Sequence, residues 1–128
     1  MTIRAFERRD LKQVIRLCEA EGWDSYCADP ERTYRALSSP NVICLVAAEG
    51  DQVVGFAQCL TDGAIRAYLA NMVVEAGRRG TGIGKMLVNE VLAQCNAVYM
   101  DLLSAEGAQG FYATFPHQTL PGYRIYPK

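Results

Sequence analysis

The chain has 128 residues, half of them hydrophobic, and a formal net charge of −1 with no run of like charge. That is enough for one globular domain over residues 1–128 with a real core, and it excludes a disordered chain. It offers no basic surface for nucleic acid or an acidic membrane, and its longest apolar run, Val42 to Ala48, is too short to cross a bilayer.

Ile3 to Phe6 alternates with polar neighbours and predicts a first strand. Asp10 is expected to cap a helix, with Gln13 as its capping-box partner. Leu11, Val14, Ile15, Leu17 and Cys18 form that helix's buried face, and Gly22 stops it. Trp23-Asp24-Ser25-Tyr26-Cys27 reads as an aromatic and polar loop. Asp29-Pro30 signals a second helix, which carries Tyr34 and Leu37 and ends before Pro40. Val42 to Ala48 reads as a buried strand, Glu49-Gly50-Asp51 as a turn, and Val53 to Leu60 as the next strand. Asp62-Gly63 signals a two-residue hairpin leading into a strand from Ala64 to Val74. Tight turns make these strands antiparallel. A helix from about Gly82 to Cys95 precedes a strand from Val98 to Leu103, which completes a βαβ unit. Ser104 is expected to cap a short helix bearing Ala108, Phe111 and Tyr112. The tail from Phe115 to Lys128 has prolines at 116, 121 and 127 and a strand-like piece, Tyr123-Arg124-Ile125-Tyr126. The five cysteines (18, 27, 44, 59 and 95) include no C-x-x-C pair, so neither a disulfide framework nor a metal site is expected. Four lie in apolar contexts and read as core, and Cys27, in the loop, as an ordinary exposed thiol. The start of the chain shows no signal-peptide core, and a cytoplasmic location is the expectation.

The stretch with chemical content is Arg79-Gly80-Thr81-Gly82-Ile83-Gly84-Lys85. It follows an apolar strand and opens an amphipathic helix, where unpaired amides and the positive end of the dipole favour an anion. A Walker loop is excluded, because Arg79 stands at its first glycine and Met86 at its Ser/Thr position. A dinucleotide fingerprint fails as well, because Gly84 falls one position early and no acidic ribose partner is evident.

The form R-x-x-G-x-G at Arg79–Gly84, between strand and helix, resembles the acetyl-coenzyme A loop of the GNAT family of N-acetyltransferases. The element order β-α-α-β-β-β-α-β-α-β is similar to that family's fold over nearly the whole chain. The resemblance implies an α/β (α+β) fold with a mixed, mostly antiparallel central sheet and flanking helices. It implies acetyl-CoA as co-substrate, lying in a splay between the strands Ala64–Val74 and Val98–Leu103. The amides of Arg79, Gly80, Thr81, Gly82, Ile83 and Gly84 would hold the pyrophosphate, with Lys85 adding charge. Exposed backbone of the Met72-Val73-Val74 segment, at Met72 and Val74, would pair with the pantetheine arm.

Acetyl transfer to an amine sets three tasks: removing an ammonium proton, stabilising an oxyanion and protonating a departing thiolate. Ala108-Gln109-Gly110-Phe111-Tyr112 matches the family's A-x-x-F-Y pattern, which makes Tyr112 the candidate acid. Glu75 is a candidate base, weighed with Asp62, Asp101 and His117 against deprotonation through water. Trp23, Tyr26 and Tyr68 are candidates for the acceptor site, and strand alternation puts Tyr68 on the side of Met72 and Val74. The expected acceptor is a small-molecule amine or a peptide amine, and the protein is expected to be a monomer or homodimer. The chain departs from the family pattern at Ala105, where an asparagine is usual, and at Phe115-Pro116-His117. These departures keep a second reading open, a non-catalytic acetyl-CoA-binding protein that controls a partner. A small α/β domain with no cofactor is the third.

Overall fold

The computed structural model describes residues 1–127. In chain order it contains β1 (Thr2–Ala5), α1 (Leu11–Ala20), α2 (Asp24–Cys27), α3 (Pro30–Ser38) and β2 (Val42–Glu49). These are followed by β3 (Gln52–Thr61), β4 (Arg66–Val74), α4 (Ile83–Gln94), β5 (Tyr99–Asp101) and α5 (Gln109–Tyr112). The sheet runs β1-β2-β3-β4-β5, antiparallel except for β5, which lies parallel to β4. This is the mixed, mostly antiparallel sheet with flanking helices expected above.

Both faces of the sheet are covered, which is why β2 and β3 are nearly continuous apolar runs. Ile83, Leu87, Val88 and Val91 of α4 pack on Leu45, Val54 and Leu69 on one face. Val14, Leu17 and Cys18 of α1 and Leu37 of α3 pack on Val46, Phe56 and Val73 on the other. No helix among the described residues is long and apolar enough to cross a membrane. Burial pushes the Cys18 and Cys44 thiols up to about 12 and Cys59 up to about 11, so they are inert core residues. Cys27 lies half-buried in α2, not in an exposed loop, and its thiol faces the carbonyl of Trp23 at 3.4 Å.

Several local expectations are corrected by tertiary partners. Gln13 forms no capping box with Asp10; its amide ties α1 to the start of β3, accepting from Val53 N–H at 2.8 Å and donating to Asp51 C=O at 2.9 Å. Trp23–Cys27 closes into the helical turn α2 because Gly22, at φ +74°, ends α1 and lets Trp23 N–H bond back to Cys18 C=O at 3.0 Å. Asp62-Gly63 makes a wider turn, with β4 starting at Arg66. The Asp62 carboxylate accepts from the amides of Ala64, Ile65 and Arg66 at 2.8, 2.8 and 3.1 Å. Those three amides hold the Asp62 carboxyl below its ordinary value. Ser104 does not cap α5, whose N-cap is Ala108. Tyr123–Tyr126 form no strand, and Tyr123 and Ile125 are 84% and 87% exposed. The flanking prolines lack the N–H a ladder needs.

Asp10 is the one buried charge among the described residues, 2% exposed. Its oxygens accept from both terminal nitrogens of Arg4 at 2.7 and 2.8 Å and from Glu7 N–H at 2.8 Å, tying β1 to α1. Burial pushes its carboxyl up, but the Arg4 guanidinium and the Glu7 amide outweigh that and hold it below 3.8. A depressed carboxyl stabilises the fold above its unfolded value and gives that up as pH falls through the folded value. Asp10→Ala, which strands Arg4, is therefore expected to cost about 2 kcal/mol at neutral pH. The gap from wild type should close below the ordinary value of 3.8, as urea melts at neutral and acid pH will read. A pH-independent gap would remove the ionic account.

Candidate functional site

The site begins with an irregularity in β4. Gln58 pairs with Asn71 but Cys59 pairs with Leu69, so Ala70 is an extra residue in β4, a bulge. β5 pairs only with Arg66, Ala67 and Tyr68. From Leu69 to Val74, β4 therefore has β3 on one side and no strand on the other. The split arises because β5 is three residues long and Leu102 then turns into the α4-side core.

The bulge also resets the faces of the strand. Ala67 and Leu69 pack toward α4, and so do Met72 and Val74, whereas Val73 packs toward α1 and α3. Tyr68, between Ala67 and Leu69, is thus on the face opposite Met72 and Val74. This corrects the expectation from simple alternation, which the extra residue reverses. Glu75 N–H bonds to Val54 C=O at 2.8 Å. Counting back by twos, Val73 turns its backbone to β3, and Met72 and Val74 turn theirs to the open edge. Of the three residues expected beside the cofactor, Val73 contributes only packing.

The open edge leads into the glycine loop. Gly80 and Gly82 sit at φ +79° and +90°, left-handed conformations that favour glycine. Gly84 has a different reason: a Cβ there would touch the Met72 methyl and the Phe111 ring at 3.4 Å. The first helical bond outside these residues is Met86 N–H to Gly82 C=O at 3.1 Å. The amides of Ile83, Gly84 and Lys85 precede it, no side chain caps them and the first turn holds no acid. The Ile83 side chain is core, and Thr81 Oγ1 donates to Arg78 C=O at 2.5 Å. Arg78 pairs with Glu49 and lies 3.8 Å from Glu75. Arg79 donates through Nε to Val74 C=O at 3.0 Å and through a terminal nitrogen to Glu21 at 2.8 Å. That bridge closes one side of a cavity of about 430 Å³ between α1 and the ends of β3 and β4. Lys85 has no ion pair among the described residues and sits 5.5 Å from the Phe115 ring.

Different side chains meet the open edge from the two faces. On the α4 side, Phe111 stacks edge-on with Tyr112 at 4.9 Å and with Phe115 at 5.6 Å, and all three pack on the core. Burial raises the Tyr112 phenol above its ordinary value of 10, so it keeps its proton at neutral pH. On the α1 and α3 side, Trp23 and Tyr26 lie 6.3 Å apart. Tyr26 donates to Gln58 Oε1 at 2.5 Å, and Asn71 Nδ2 donates to Tyr26 and, at 3.0 Å, to Gln58 Oε1. Gln58 and Asn71 escape a sequence reading; their one signal is an amide in the interior of each of two apolar strands. The candidate bases already have partners. Glu75 is at the loop end of β4, Asp101 is exposed 3.6 Å from Arg66, and His117 is exposed with Nδ1 2.8 Å from Phe115 C=O.

A family model described as the acetyltransferase (GNAT) family matches residues 8–115. Among solved structures, a GNAT-family acetyltransferase from Streptococcus pneumoniae TIGR4 is 27% identical with a TM-score of 0.80, over 99% of this chain and 97% of that one. A transcriptional regulator from Bacillus halodurans C-125 shares the fold, with a TM-score of 0.83 at 21% identity over 98% of each chain. An aminoglycoside 6'-N-acetyltransferase complexed with coenzyme A is 26% identical with a TM-score of 0.67, over 74% of this chain and 55% of that one. No curated protein matches the sequence.

Proposed function

The chain belongs to the acetyltransferase (GNAT) family, and from that premise we propose that residues 1–128 form one domain that moves an acetyl group from acetyl-CoA directly to a primary amine. The observation that carries this reading is the unpaired β4 edge, which runs into an uncapped helix start. The pyrophosphate would sit on the amides from Gly80 to Lys85, with Lys85 as the added charge. The pantetheine arm would take the place of the missing strand and bond to Met72 and Val74. Val74 C=O is held by Arg79, so cofactor entry would draw Arg79 away from it.

The amine nitrogen would attack the thioester carbonyl, forming the N–C bond and a tetrahedral oxyanion, which collapses by breaking the C–S bond and releasing the thiolate. The Met72 N–H faces the open edge and is the proposed oxyanion donor. Water would first take a proton from the ammonium so that the neutral amine attacks, and Tyr112 would give its proton to the departing thiolate. Glu75 is too occupied with Arg78, and too far along β4 from the bulge, to be the preferred base. The inert buried thiols favour direct transfer over an acyl-cysteine intermediate. Trp23, Tyr26 and Tyr68 share one face and would form the acceptor wall, suited to an ammonium by cation–π contact. A small-molecule amine fits this half-open wall, and a peptide amine presents the same group.

One observation favours the alternative, binding without turnover: each candidate base already has a partner, Glu75 and Asp101 an arginine at 3.8 and 3.6 Å and His117 a backbone carbonyl at 2.8 Å. Calorimetry with acetyl-CoA, followed by thiol release over a panel of amines and peptides, separates the readings. The expected result is saturable binding and amine-dependent release. Binding without release for any amine would favour a regulatory role. No binding by a folded protein would end the cofactor assignment.

A further inference from the structure

The Tyr26–Gln58–Asn71 cluster has a direction that packing does not explain. Gln58 is 4% exposed, and its Nε2 faces Ala36 C=O at 3.5 Å, which orients Oε1 toward the cluster. Oε1 accepts from Tyr26 at 2.5 Å and from Asn71 Nδ2 at 3.0 Å. Tyr26 has one proton and gives it to Gln58, so it can only accept from Asn71. Both donors of Asn71 Nδ2 are thereby used, and the amide cannot flip without setting carbonyl oxygen against carbonyl oxygen. Asn71 Oδ1 is left with no partner among the described residues, yet no buried polar side-chain atom of theirs lacks one, so Oδ1 is open to solvent.

Its position gives this free acceptor a use. Asn71 directly follows the bulged Ala70, on the face with Tyr68, Tyr26 and Trp23. An arm lying along the open edge from the loop passes Val74 and then Met72, so its acyl end reaches Asn71 and the bulge. The geometry points to Asn71 Oδ1 as the hydrogen-bond acceptor that holds the N–H of the attacking amine. Tyr26 and Gln58 serve as positioning residues that lock its orientation. This inference rests on the acetyl-CoA reading above. It assigns the acceptor site a neutral oxygen among aromatic rings, which adds a hydrogen bond for a primary or secondary ammonium that a quaternary one, held by the rings alone, does not make.

The test uses nitrogen-15-labelled, CoA-saturated protein titrated with n-butylammonium, with tetramethylammonium as a probe that keeps the charge and lacks N–H. The Asn71 side-chain amide resonances should shift saturably with n-butylammonium, and several-fold less with tetramethylammonium, which the rings can hold but Asn71 cannot. Asn71→Leu should weaken n-butylammonium binding about tenfold while leaving CoA affinity unchanged. Tyr26→Phe, which frees the orientation, should weaken it less. An Asn71 amide that does not respond, or that responds equally to both cations, overturns the inference while CoA binding stands. Failure to bind CoA at all overturns the underlying reading. The wild-type titration decides the matter even if Asn71→Leu does not fold.

Discussion

Gly82→Asp should abolish acetyl-CoA binding in a protein that stays folded. Gly82 holds φ +90° at the N-cap of α4, directly before three free amides. Aspartate is among the few side chains that tolerate left-handed backbone, at about 1–2 kcal/mol, and at an N-cap it recovers part of that by bonding to the free amides. The same bond takes the donors the pyrophosphate needs. A carboxylate about 4 Å from a phosphate charge adds repulsion on the order of 4 kcal/mol at an effective dielectric of 20. Together these effects correspond to a loss of affinity of at least about a hundredfold, since 1.4 kcal/mol is a factor of ten. Gly82→Asn separates the contributions, because it caps and fills the space without the charge, and it should fall between the two. Calorimetry and thermal melts on the three proteins read the result. Unchanged affinity in Gly82→Asp would sink the loop assignment.

Tyr112→Phe should lower kcat about a hundredfold, the usual scale for losing a general acid, with CoA affinity and fold intact. Phenylalanine keeps the edge-on packing against Phe111 and removes only the phenol. Leaving-group protonation occurs after binding, so the loss belongs in kcat and not in the cofactor Kd. Burial raises the phenol above 10, so an acid role predicts that alkaline loss of rate sets in only above that value. A kcat equal to wild type would assign Tyr112 to packing alone.

The order of strands and helices was legible because it is written in local chemistry. Asp29 and Pro30 start α3 as their spacing indicates, and the Asp29 carboxylate accepts from Arg32 N–H at 3.2 Å. The ladder expected at Tyr123–Tyr126 was misread, since β-forming side chains make a strand only where a partner edge receives them. Asp10 shows the same limit in another form. Its capping pattern was visible, but the carboxylate caps the turn before α1, accepting from Glu7 N–H, and takes Arg4 of β1 as its charge partner, so it does not cap α1 itself.

The sequence by itself determined the anion loop. Left-handed glycines, a helix start and a preceding strand are all set within a few residues of one another, so spacing specifies them. Only the tertiary structure decided which side chains share the site. The Ala70 bulge appears when β4 is laid against β3, and it moves Tyr68 to the face opposite Met72 and brings Asn71 to Gln58 and Tyr26. Side-chain direction along a strand has period two, so one residue outside the ladder reverses everything beyond it. Register is settled between strands and not within one.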